Sequence, residues 1–451
     1  MKKRVLINSI ICLFVLVTVI GCGNIDGKTK VGTTDSNQEK TEEIIIEETV
    51  EETAEEQESE FEEYEIGLMA VGDNLMHMGV VNTGRMEDGS YDYSFLFDGI
   101  SDFLGASDIK VINQETILGG NDLGFSGYPN FNSPTEVGDS IAEAGFNVVL
   151  HASNHSADKG IKGLLNCVSF WKTYPDIFMV GIHEEAAESH EIPVLTIKDI
   201  DFAILNYTYG PNLETMPSSI RGHLDMLCDW NKENGRIDFT KLHPQVIDDI
   251  QRAEEIADVT LIFPHWGTEY TTTPSTYQEE FALQMVEAGA DLIIGTHPHV
   301  VQPVEWVESE SGKRALCFYS LGNYVSTQQG ALSMLEAMAW VRFLVTKDGV
   351  EILEEKTGVL PMVCHYNSGP TRIEDIYLLE EYSQEKADSH GIRNNAGVNL
   401  KMEDLETWSQ EIFGQWIARS QLFGIRMEGV VEFVHLQHLL TAQDHQCLVQ
   451  R

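Results

Sequence analysis

The chain has 451 residues, with 72 acidic against 29 basic side chains and a formal net charge of −43. A single hydrophobic core usually stops growing near about 250–300 residues, so this length leaves room for one large domain with appendages. The acidic balance leaves no basic patch that could neutralise phosphates, so we expect no nucleic-acid partner.

The start of the chain predicts an export signal over residues 1–22. Its basic "MKKR" precedes an apolar run that is too short for a comfortable membrane span. The run ends in "VIGC", which resembles a bacterial lipobox, whose cysteine is lipidated and becomes the new N-terminus; that residue is Cys22. A plain signal peptide and an uncleaved anchor are the alternatives. All three place the remaining chain outside the cytoplasm, and the lipobox further predicts a lipid-anchored protein at the extracytoplasmic face of the cell membrane.

Residues 23–63 predict an acidic, disordered tether. The segment "EKTEEIIIEETVEETAEEQESEFEEYE", residues 39–65, is dominated by Glu and Thr. Such a composition cannot bury enough apolar surface to fold alone. We therefore expect a solvated, self-repelling segment that holds the following domain away from the membrane.

From residue 64 onward, short apolar runs alternate with stretches of helical period, which predicts an α/β domain over residues 64–370. The predicted strands are "EIGLMAVGD", "IKVINQE", "FNVVLHASNH", "IFMVGI", "DFAILNYTYG", "VTLIFPHWG", "DLIIGTHPH" and "RALCFYSLGNYV". The predicted helices are "SPTEVGDSIAEAG", "KGIKGLLNCVSFWKTY", "HPQVIDDIQRAEEIA" and "STYQEEFALQMVEAGA". Residues 337–366 predict two or three antiparallel strands with "KDG" as a turn, and residues 371–451 predict a helical C-terminal extension.

Side chains of the metal-binding type follow these predicted strands directly. In open α/β sheets, ligands gather beyond the carboxyl ends of the strands, so we expect these side chains to converge on one centre. Imidazole together with carboxylate and amide oxygens favours a borderline cation, and we predict one or two Mn, Fe or Zn ions. The predicted metal ligands are Asp73, Glu115, Asn154, His265, His297 and His299.

Each motif by itself has an ordinary alternative. Alternate residues of a strand point to opposite faces, but beyond a strand end the backbone can curl and aim His297 and His299 at one centre. The alternative for this pair is two hydrogen-bonded loop histidines. Asp73 in "VGD" also suits an ordinary turn, and His77, four residues later, is a weaker candidate.

The segment "HASNHSADKG" holds the most specific motif. The oxygen of Asn154 is suited to bind a metal, while the adjacent His155 is suited to act as an acid or to stabilise an oxyanion. Asp158 follows closely in the same segment. A helix N-cap at Ser153 or Asn154 is the alternative, and it is compatible with the first interpretation.

The remaining candidates surround these ligands. A buried Glu115 carboxylate, beside Asn113 in "VINQET", needs a cation or strong hydrogen bonds to offset its desolvation. Glu269 and Tyr270 in "FPHWGTEY" are predicted to orient a ligand or to bind substrate, and a surface carboxylate is the alternative for Glu269. Asn323 in "YSLGNYV" follows a predicted strand in the same way.

The motifs "GDNLM", "NQET", "SNHSADKG", "LNYTYGPN", "HWGTEY", "GTHPHVVQPVE" and "SLGNYV", in this order, resemble the CapA family of bacterial poly-γ-glutamate capsule biosynthesis proteins. The resemblance runs from roughly Ile66 to Pro361. That family is similar in turn to the calcineurin-like metallophosphoesterases. The resemblance therefore implies a four-layer α/β/β/α sandwich with a two-metal centre.

The resemblance also assigns roles to individual residues. His155 takes the place of the catalytic histidine, and Asp73 that of the first-strand aspartate at the reacting centre. Metallophosphoesterases carry Asp-x-His at that strand and Gly-Asp-x-x-Asp at the second motif, whereas this chain has Leu75 and the run "NQE". The centre is therefore expected to hold either one metal, or two with altered occupancy. The ligands that the resemblance implies are Asp73, Asn154, His265, His297 and His299.

For function, the resemblance implies a membrane-tethered protein that assembles, exports or anchors poly-γ-glutamate or a related anionic surface polymer, alongside capsule synthesis membrane proteins. The acidic domain repels such a polymer unless a metal or a local basic cleft compensates. A metal-dependent hydrolase, in particular a phosphoesterase with an extracytoplasmic substrate, is one alternative. A binding lipoprotein without catalysis is the other, so whether the chain is an enzyme stays open.

Overall fold

The structure is a computed structural model that describes residues 61–369 and 371–418. The described residues from 63 onward belong to one compact unit. The predicted export signal with Cys22, and the tether up to residue 60, lie outside the described residues. Within the described part, no helix combines the length and the apolar content that a membrane crossing requires.

The strands are numbered β1 to β17 and the helices α1 to α9 in chain order. The strands are β1 (Tyr64–Asn74), β2 (Ile109–Asn113), β3 (Val148–Leu150), β4 (Phe178–Val180), β5 (Val194–Ile197), β6 (Ile200–Thr208), β7 (Cys228–Trp230), β8 (Ile237–Leu242), β9 (Val259–His265), β10 (Leu292–Ile294), β11 (Val304–Glu308), β12 (Arg314–Phe318), β13 (Asn323–Val325), β14 (Leu335–Thr346), β15 (Gly349–Ile352), β16 (Gly358–Asn367) and β17 (Arg372–Leu378). The helices are α1 (Met78–Thr83), α2 (Ser101–Gly105), α3 (Glu136–Ala144), α4 (Gly160–Trp171), α5 (Pro244–Ile256), α6 (Thr276–Ala288), α7 (Gln384–Ser389), α8 (Ile392–Asn395) and α9 (Met402–Phe413).

The strands form two large sheets and one hairpin. The first sheet has the order β17-β16-β14-β1-β2-β3-β4, with β13 also paired to β1 and β15 to β14. The second has the order β11-β12-β10-β9-β6-β5, and β7 pairs with β8. Strands β1 to β4 run parallel, as do β6, β9, β10 and β12. Each large sheet therefore presents a row of parallel carboxyl ends, where loops carry polar side chains.

The two sheets pack face to face and carry helices on their outer sides. Phe343 of β14 meets Phe202 of β6 across the interface, with ring centroids 5.4 Å apart. Trp340, three residues earlier, points to the opposite face, where it meets Phe103 of α2. On the second sheet, helices α5 and α6 pack on the outer face. The predicted four-layer α/β/β/α sandwich is confirmed.

Two predicted elements differ from the structure. The sequence predicts one strand over "RALCFYSLGNYV", but this run forms β12 in the second sheet and β13 in the first. Gly322, with φ of 70°, turns the chain between them, so that this segment links the sheets. The helical prediction from residue 371 is wrong for its first part, because β17 extends the first sheet by pairing with β16. Helices α7 to α9 follow it, and residues 419–451 lie outside the described residues.

His151, directly after β3, gives a testable pH dependence. It is buried, and its Nε2 accepts a hydrogen bond of 2.7 Å from Trp171. Burial lowers the pKa of His151 from its ordinary value of 6.5 to about 3. Between these two pKa values His151 is protonated in the unfolded chain but neutral in the folded chain. The free energy of unfolding therefore falls by about 1.4 kcal/mol for each unit by which the pH is lowered. We expect His151→Gln to lose less free energy of unfolding between about pH 7 and about pH 5 than the wild type, measured by urea denaturation. An equal loss in both proteins would contradict this assignment.

Candidate metal centre

The carboxyl end of β1 places Asp73 between two neighbouring strands. Asp73 is in register with Asn113 of β2 on one side and with Asn323 of β13 on the other. At the preceding residue, Gly72, an added Cβ would lie 2.1 Å from the carbonyl oxygen of Gly322. Any side chain there would force β1 and β13 apart, so this glycine fixes the position of the Asp73 carboxylate.

The loop after β10 brings both of its histidines to the same centre. His297 has φ of 98° and His299 has φ of 57°, a region that residues other than glycine rarely adopt. Their ring centroids lie 5.8 Å apart, and the backbone N–H of His297 donates to Asp73 Oδ2 at 3.2 Å. Such backbone strain costs about 1–3 kcal/mol per residue and persists where the surrounding structure enforces it, often at functional sites.

Glu115, two residues beyond β2, lies at the middle of the cluster. Its side chain is buried, and among the described residues neither carboxylate oxygen has a hydrogen-bond partner. The Nε2 atom of His299 lies 3.7 Å from Glu115 Oε1, and the Nε2 atoms of His155 and His265 each lie 3.9 Å from it. These separations exceed the range of a hydrogen bond. A carboxylate buried in this way is costly unless a cation neutralises it.

Hydrogen bonds to the outer nitrogens of two rings turn their inner nitrogens toward Glu115. His299 Nδ1 lies 3.0 Å from Asn323 Oδ1 and 3.2 Å from Asp73 Oδ2. Both partners accept, so Nδ1 carries the hydrogen and Nε2 is the inner atom. His155 Nδ1 lies 2.8 Å from the carboxylate of Asp158 in the same way. Metal-binding histidines in proteins usually donate their second N–H like this.

His265, the last residue of β9, brings the second sheet to the cluster. Its Nδ1 lies 2.9 Å from Thr296 Oγ1, and its Nε2 lies 2.9 Å from Asn154 Oδ1. The side-chain amide of Asn154 donates in turn to Asn212 at 3.1 Å. Because Asp73 belongs to the first sheet and His265 to the second, the cluster lies where the two sheets meet.

Burial sets the protonation of these groups. Burial lowers the pKa values of His265 and His297 well below their ordinary range, and neighbouring imidazoles add to the effect. Burial raises the pKa of Glu115 well above its ordinary range, against the influence of His299. For His299, burial alone would lower the pKa, but the charges of Glu115 and Asp73 raise it to about 9. Neutral imidazole and ionised carboxylate are the metal-binding forms, so binding of a metal here would release protons.

The donor set fits a divalent metal. One group of donor atoms within 4.8 Å of one another comes from Asp73, Glu115 and His299, and a second comes from Glu269, His297 and His299. His297 Nδ1 is buried and has no hydrogen-bond partner within the described part of the chain. Since metal–ligand bonds are about 2 Å long, a cation would fill the 3.7–3.9 Å gaps around Glu115.

The structure brings the predicted site residues into one cluster, and their roles stay predictions. Glu269 and Tyr270 lie on its exposed side, where the Tyr270 ring is 6.1 Å from that of His299. His77 is half-buried, packs its ring against Phe131 and belongs to neither donor group. The buried or largely buried members are Asp73, Asn113, Glu115, Asn154, His155, Asp158, His265, His297, His299 and Asn323.

Two residues at or near this cluster were not predicted from the sequence. Tyr209 places its ring 4.7 Å from that of His297 and parallel to that of His265. It lies within the motif "LNYTYGPN", but no property of the motif marks one of its residues. Glu336 of β14 is fully buried, and among the described residues its carboxylate oxygens have no hydrogen-bond partner. A lone charge within the apolar run "LEAMAW" was the signal that could have found it.

The Asp158 carboxylate gives a prediction about how His155 is held. Its Oδ2 accepts from His155 Nδ1 at 2.8 Å and from the backbone N–H of Phe131 at 2.6 Å. Asp158→Ala leaves both donors without this acceptor, so we expect a loss of about 2–4 kcal/mol in the free energy of unfolding. Asp158→Asn keeps an acceptor and should lose less than half of that. Equal losses in the two variants, measured by chemical denaturation, would contradict the assignment.

The fold and the site define an α/β sandwich protein with a histidine and carboxylate cluster at the carboxyl ends of its strands. Residues 67–328 match the family described as bacterial capsule synthesis protein PGA_cap. The chain belongs to this family, and the predicted CapA resemblance is confirmed.

Two similar proteins are named for capsule or PGA biosynthesis. The chain is 30% identical over 220 residues to the capsule biosynthesis protein CapA of Bacillus anthracis, and the match covers 48% of each chain. It is 28% identical over 190 residues to the PGA biosynthesis protein CapA of Bacillus subtilis (strain 168), covering 42% of this chain and 44% of that protein. The chain thus spans about half the length of the curated relatives it matches.

Two solved structures align with the chain only remotely. A hypothetical protein from Thermus thermophilus aligns with a TM-score of 0.36 at 13% identity, over 66% of this chain and 98% of that one. The sulfate thiohydrolase SoxB of the same organism aligns with a TM-score of 0.33 at 11% identity, over 69% of this chain and 45% of that one. Likenesses this remote carry no argument about fold or function.

Proposed function

We propose that this chain acts in the synthesis, assembly or export of poly-γ-glutamate or a related anionic surface polymer, through a divalent-metal centre. Family membership and the names of the two Bacillus relatives support the polymer. The proposal includes a lipid anchor at Cys22, a place on the extracytoplasmic face of the membrane, and capsule synthesis membrane proteins as partners.

The observation that carries the metal centre is the surroundings of Glu115. A buried carboxylate with no hydrogen-bond donor among the described residues has three imidazole nitrogens at 3.7–3.9 Å. Without a cation, ionised Glu115 would be desolvated, so its carboxyl group takes up a proton, whereas a divalent cation would stabilise the ionised form. The residues that would hold one or two Mn, Fe or Zn ions are Asp73, Glu115, Asn154, His265, His297 and His299.

The cation would also offset the repulsion between the acidic chain and an anionic substrate. The whole chain carries a formal charge of −43, which repels an anionic polymer at long range. A divalent cation at the cluster supplies local positive charge and Lewis acidity toward a phosphoryl or carbonyl oxygen. In this proposal Glu269 and Tyr270, which lie on the exposed side of the cluster, contact the substrate.

A metal-dependent hydrolase, in particular a phosphoesterase, is the second candidate function. The observation that favours it is His155, whose Nδ1 is held by Asp158 while its Nε2 faces the cluster. An imidazole held in this way can give a proton to a leaving group or stabilise an oxyanion. In this account His155 and Asp73 act at the reacting centre, and the substrate is extracytoplasmic.

A complementation experiment tests the polymer role. In a strain that lacks this gene, the wild-type chain should restore surface polymer, whereas Glu115→Gln should not. Glu310→Gln, at an exposed glutamate between β11 and β12, is the matched control and should restore it fully. Restoration by Glu115→Gln to the wild-type level would contradict a role for the centre.

A second experiment separates hydrolysis from binding. The purified protein is loaded with Mn, Fe or Zn and screened against phosphodiesters and phosphomonoesters. Turnover that His155→Ala abolishes without loss of bound metal would support the hydrolase. Bound metal without any turnover would instead favour polymer handling or a binding lipoprotein.

A further inference from the structure

A second group of metal-type side chains shares no residue with the cluster around Glu115. His183 follows β4, His190 precedes β5, and Asp225 lies between β6 and β7. Three donor atoms, one from each of these residues, lie within 4.8 Å of one another. The fold thus places a further set of two imidazoles and one carboxylate beside the edges of its two sheets.

Hydrogen bonds occupy one nitrogen of each ring and leave the other unused. His183 Nε2 donates to Asp225 Oδ2 at 2.7 Å, and His190 Nε2 donates to the carbonyl oxygen of Gly222 at 2.8 Å. Within the described residues, Nδ1 of neither ring has a hydrogen-bond partner. For His190, whose Nε2–H is held by a carbonyl oxygen outside the donor group, this leaves an Nδ1 lone pair, which is the usual state of a metal-binding histidine.

The two rings also favour the neutral form of each other. They stack with centroids 3.4 Å apart and an interplanar angle of 6°. Two imidazolium cations at this separation would repel strongly. At least one ring therefore stays neutral, and neutral imidazole is the form that binds a metal.

An ion can reach these donors through a cavity. The side chains of His183 and Asp225 are 21% and 26% exposed, and they line a cavity of about 480 Å³. Two cations in the cavity lining are engaged elsewhere, because Lys232 pairs with Glu188 at 3.4 Å and Arg221 lies over the ring of Trp230. Neither of these two cations therefore pairs with Asp225, whose carboxylate accepts a hydrogen bond from His183.

We propose that His183, His190 and Asp225 form a second metal site, which takes a borderline divalent cation such as Zn²⁺. Imidazole and carboxylate are ligands that Zn²⁺ prefers, and a partly exposed site leaves room for water as a further ligand. Asp225 lies on the Nε2 side of His183, so an ion held by both residues replaces the Nε2 hydrogen, and neutral His183 carries its hydrogen on Nδ1 instead. Parallel rings aim their lone pairs past each other, so binding also turns at least one ring about its Cβ–Cγ bond. The torsion about this bond is broad for histidine, and the cavity provides the space. This site is independent of the function proposed above.

Counting bound zinc tests the proposal. The purified full chain, its His183→Ala/His190→Ala variant and its His243→Asn variant are dialysed against Zn²⁺, and zinc per chain is measured by mass spectrometry. His243 lines the same cavity but caps α5, where its ring accepts from the backbone of Gln245 at 3.1 Å, and asparagine keeps this cap. We expect the double variant to bind one zinc fewer than the wild type, and His243→Asn to bind the same number.

A more conservative variant controls for misfolding of the double variant. His190→Gln keeps a donor for Gly222 but replaces the imidazole, so we expect its zinc dissociation constant at this site to rise at least about tenfold. The double substitution is also made in the His299→Ala variant, where it should again remove one zinc relative to His299→Ala alone. This comparison separates the second site from the centre around Glu115. Equal zinc in the wild type and the double variant, or unchanged affinity in His190→Gln, would overturn the proposal.

Discussion

Glu115→Gln is expected to lower the affinity of the protein for its divalent metal by at least about 100-fold, because glutamine removes the charge that the cation neutralises. The fold should survive this change. Glutamine has the same shape, and in the metal-free protein the Glu115 oxygens have no hydrogen-bond donor to lose among the described residues. Metal affinity is measured by titration calorimetry after removal of bound metal with a chelator.

The pH dependence of the metal-free protein provides the control for Glu115. Burial raises the pKa of its carboxyl group well above the ordinary value of 4.5. The folded state therefore resists ionisation, and this group lowers the free energy of unfolding as the pH rises above that ordinary value. We expect Glu115→Gln to lose less stability than the wild type between about pH 5 and about pH 8. A variant that binds metal normally, or that unfolds at every pH, would contradict this account.

His299→Ala is expected to weaken metal binding at the centre around Glu115 strongly and also to destabilise the metal-free fold. His299 is common to both groups of donors, so its loss affects either position that a cation could take. Its Nδ1 also donates to Asn323 and Asp73, and truncation of this buried ring should cost about 2–4 kcal/mol of unfolding free energy. Affinity should fall at least about 100-fold.

Glu269→Gln is the matched comparison for His299→Ala. Glu269 belongs to one donor group only and is exposed to solvent, so we expect its loss to reduce affinity less than about tenfold. The pH profile offers a further check. The pKa of His299 is raised to about 9, so its stabilising contribution is complete below its ordinary value of 6.5 and is lost as the pH rises through 9. His299→Ala should lack this alkaline loss, and equal metal affinities in the two variants would contradict the shared role of His299.

The sequence predicted which side chains lie close together better than it predicted the path of the chain around them. Asp73, Glu115 and His265 follow apolar runs directly, and parallel carboxyl ends bring such positions together whatever the loops do. The reason that His297 and His299 face one centre could not be predicted. The two rings face one centre because His297 and His299 both adopt positive φ values, and a positive φ can be expected from sequence mainly at glycine.

Strand pairing and the contact between His183 and His190 could not be predicted from the sequence for a different reason. Nothing in "RALCFYSLGNYV" shows that β12 and β13 belong to different sheets, because the division depends on which strands are free to pair. In the strand β17, "RIEDIYL", the adjacent Glu374 and Asp375 interrupt the alternation typical of a strand, and only its pairing with β16 decides that it is not helical. His183 and His190 are loop residues that become neighbours by tertiary packing alone.

The metal content of the purified protein tests the central claim most directly. The full chain is isolated without added metal, analysed by mass spectrometry for Mn, Fe and Zn, and analysed again after dialysis against each ion. A second preparation carries Glu115→Gln. We expect at least one divalent ion per chain to depend on Glu115, and therefore to be missing from the variant. A wild-type protein that contains no ion and recruits none, or a variant that holds as much metal as the wild type, would contradict the account.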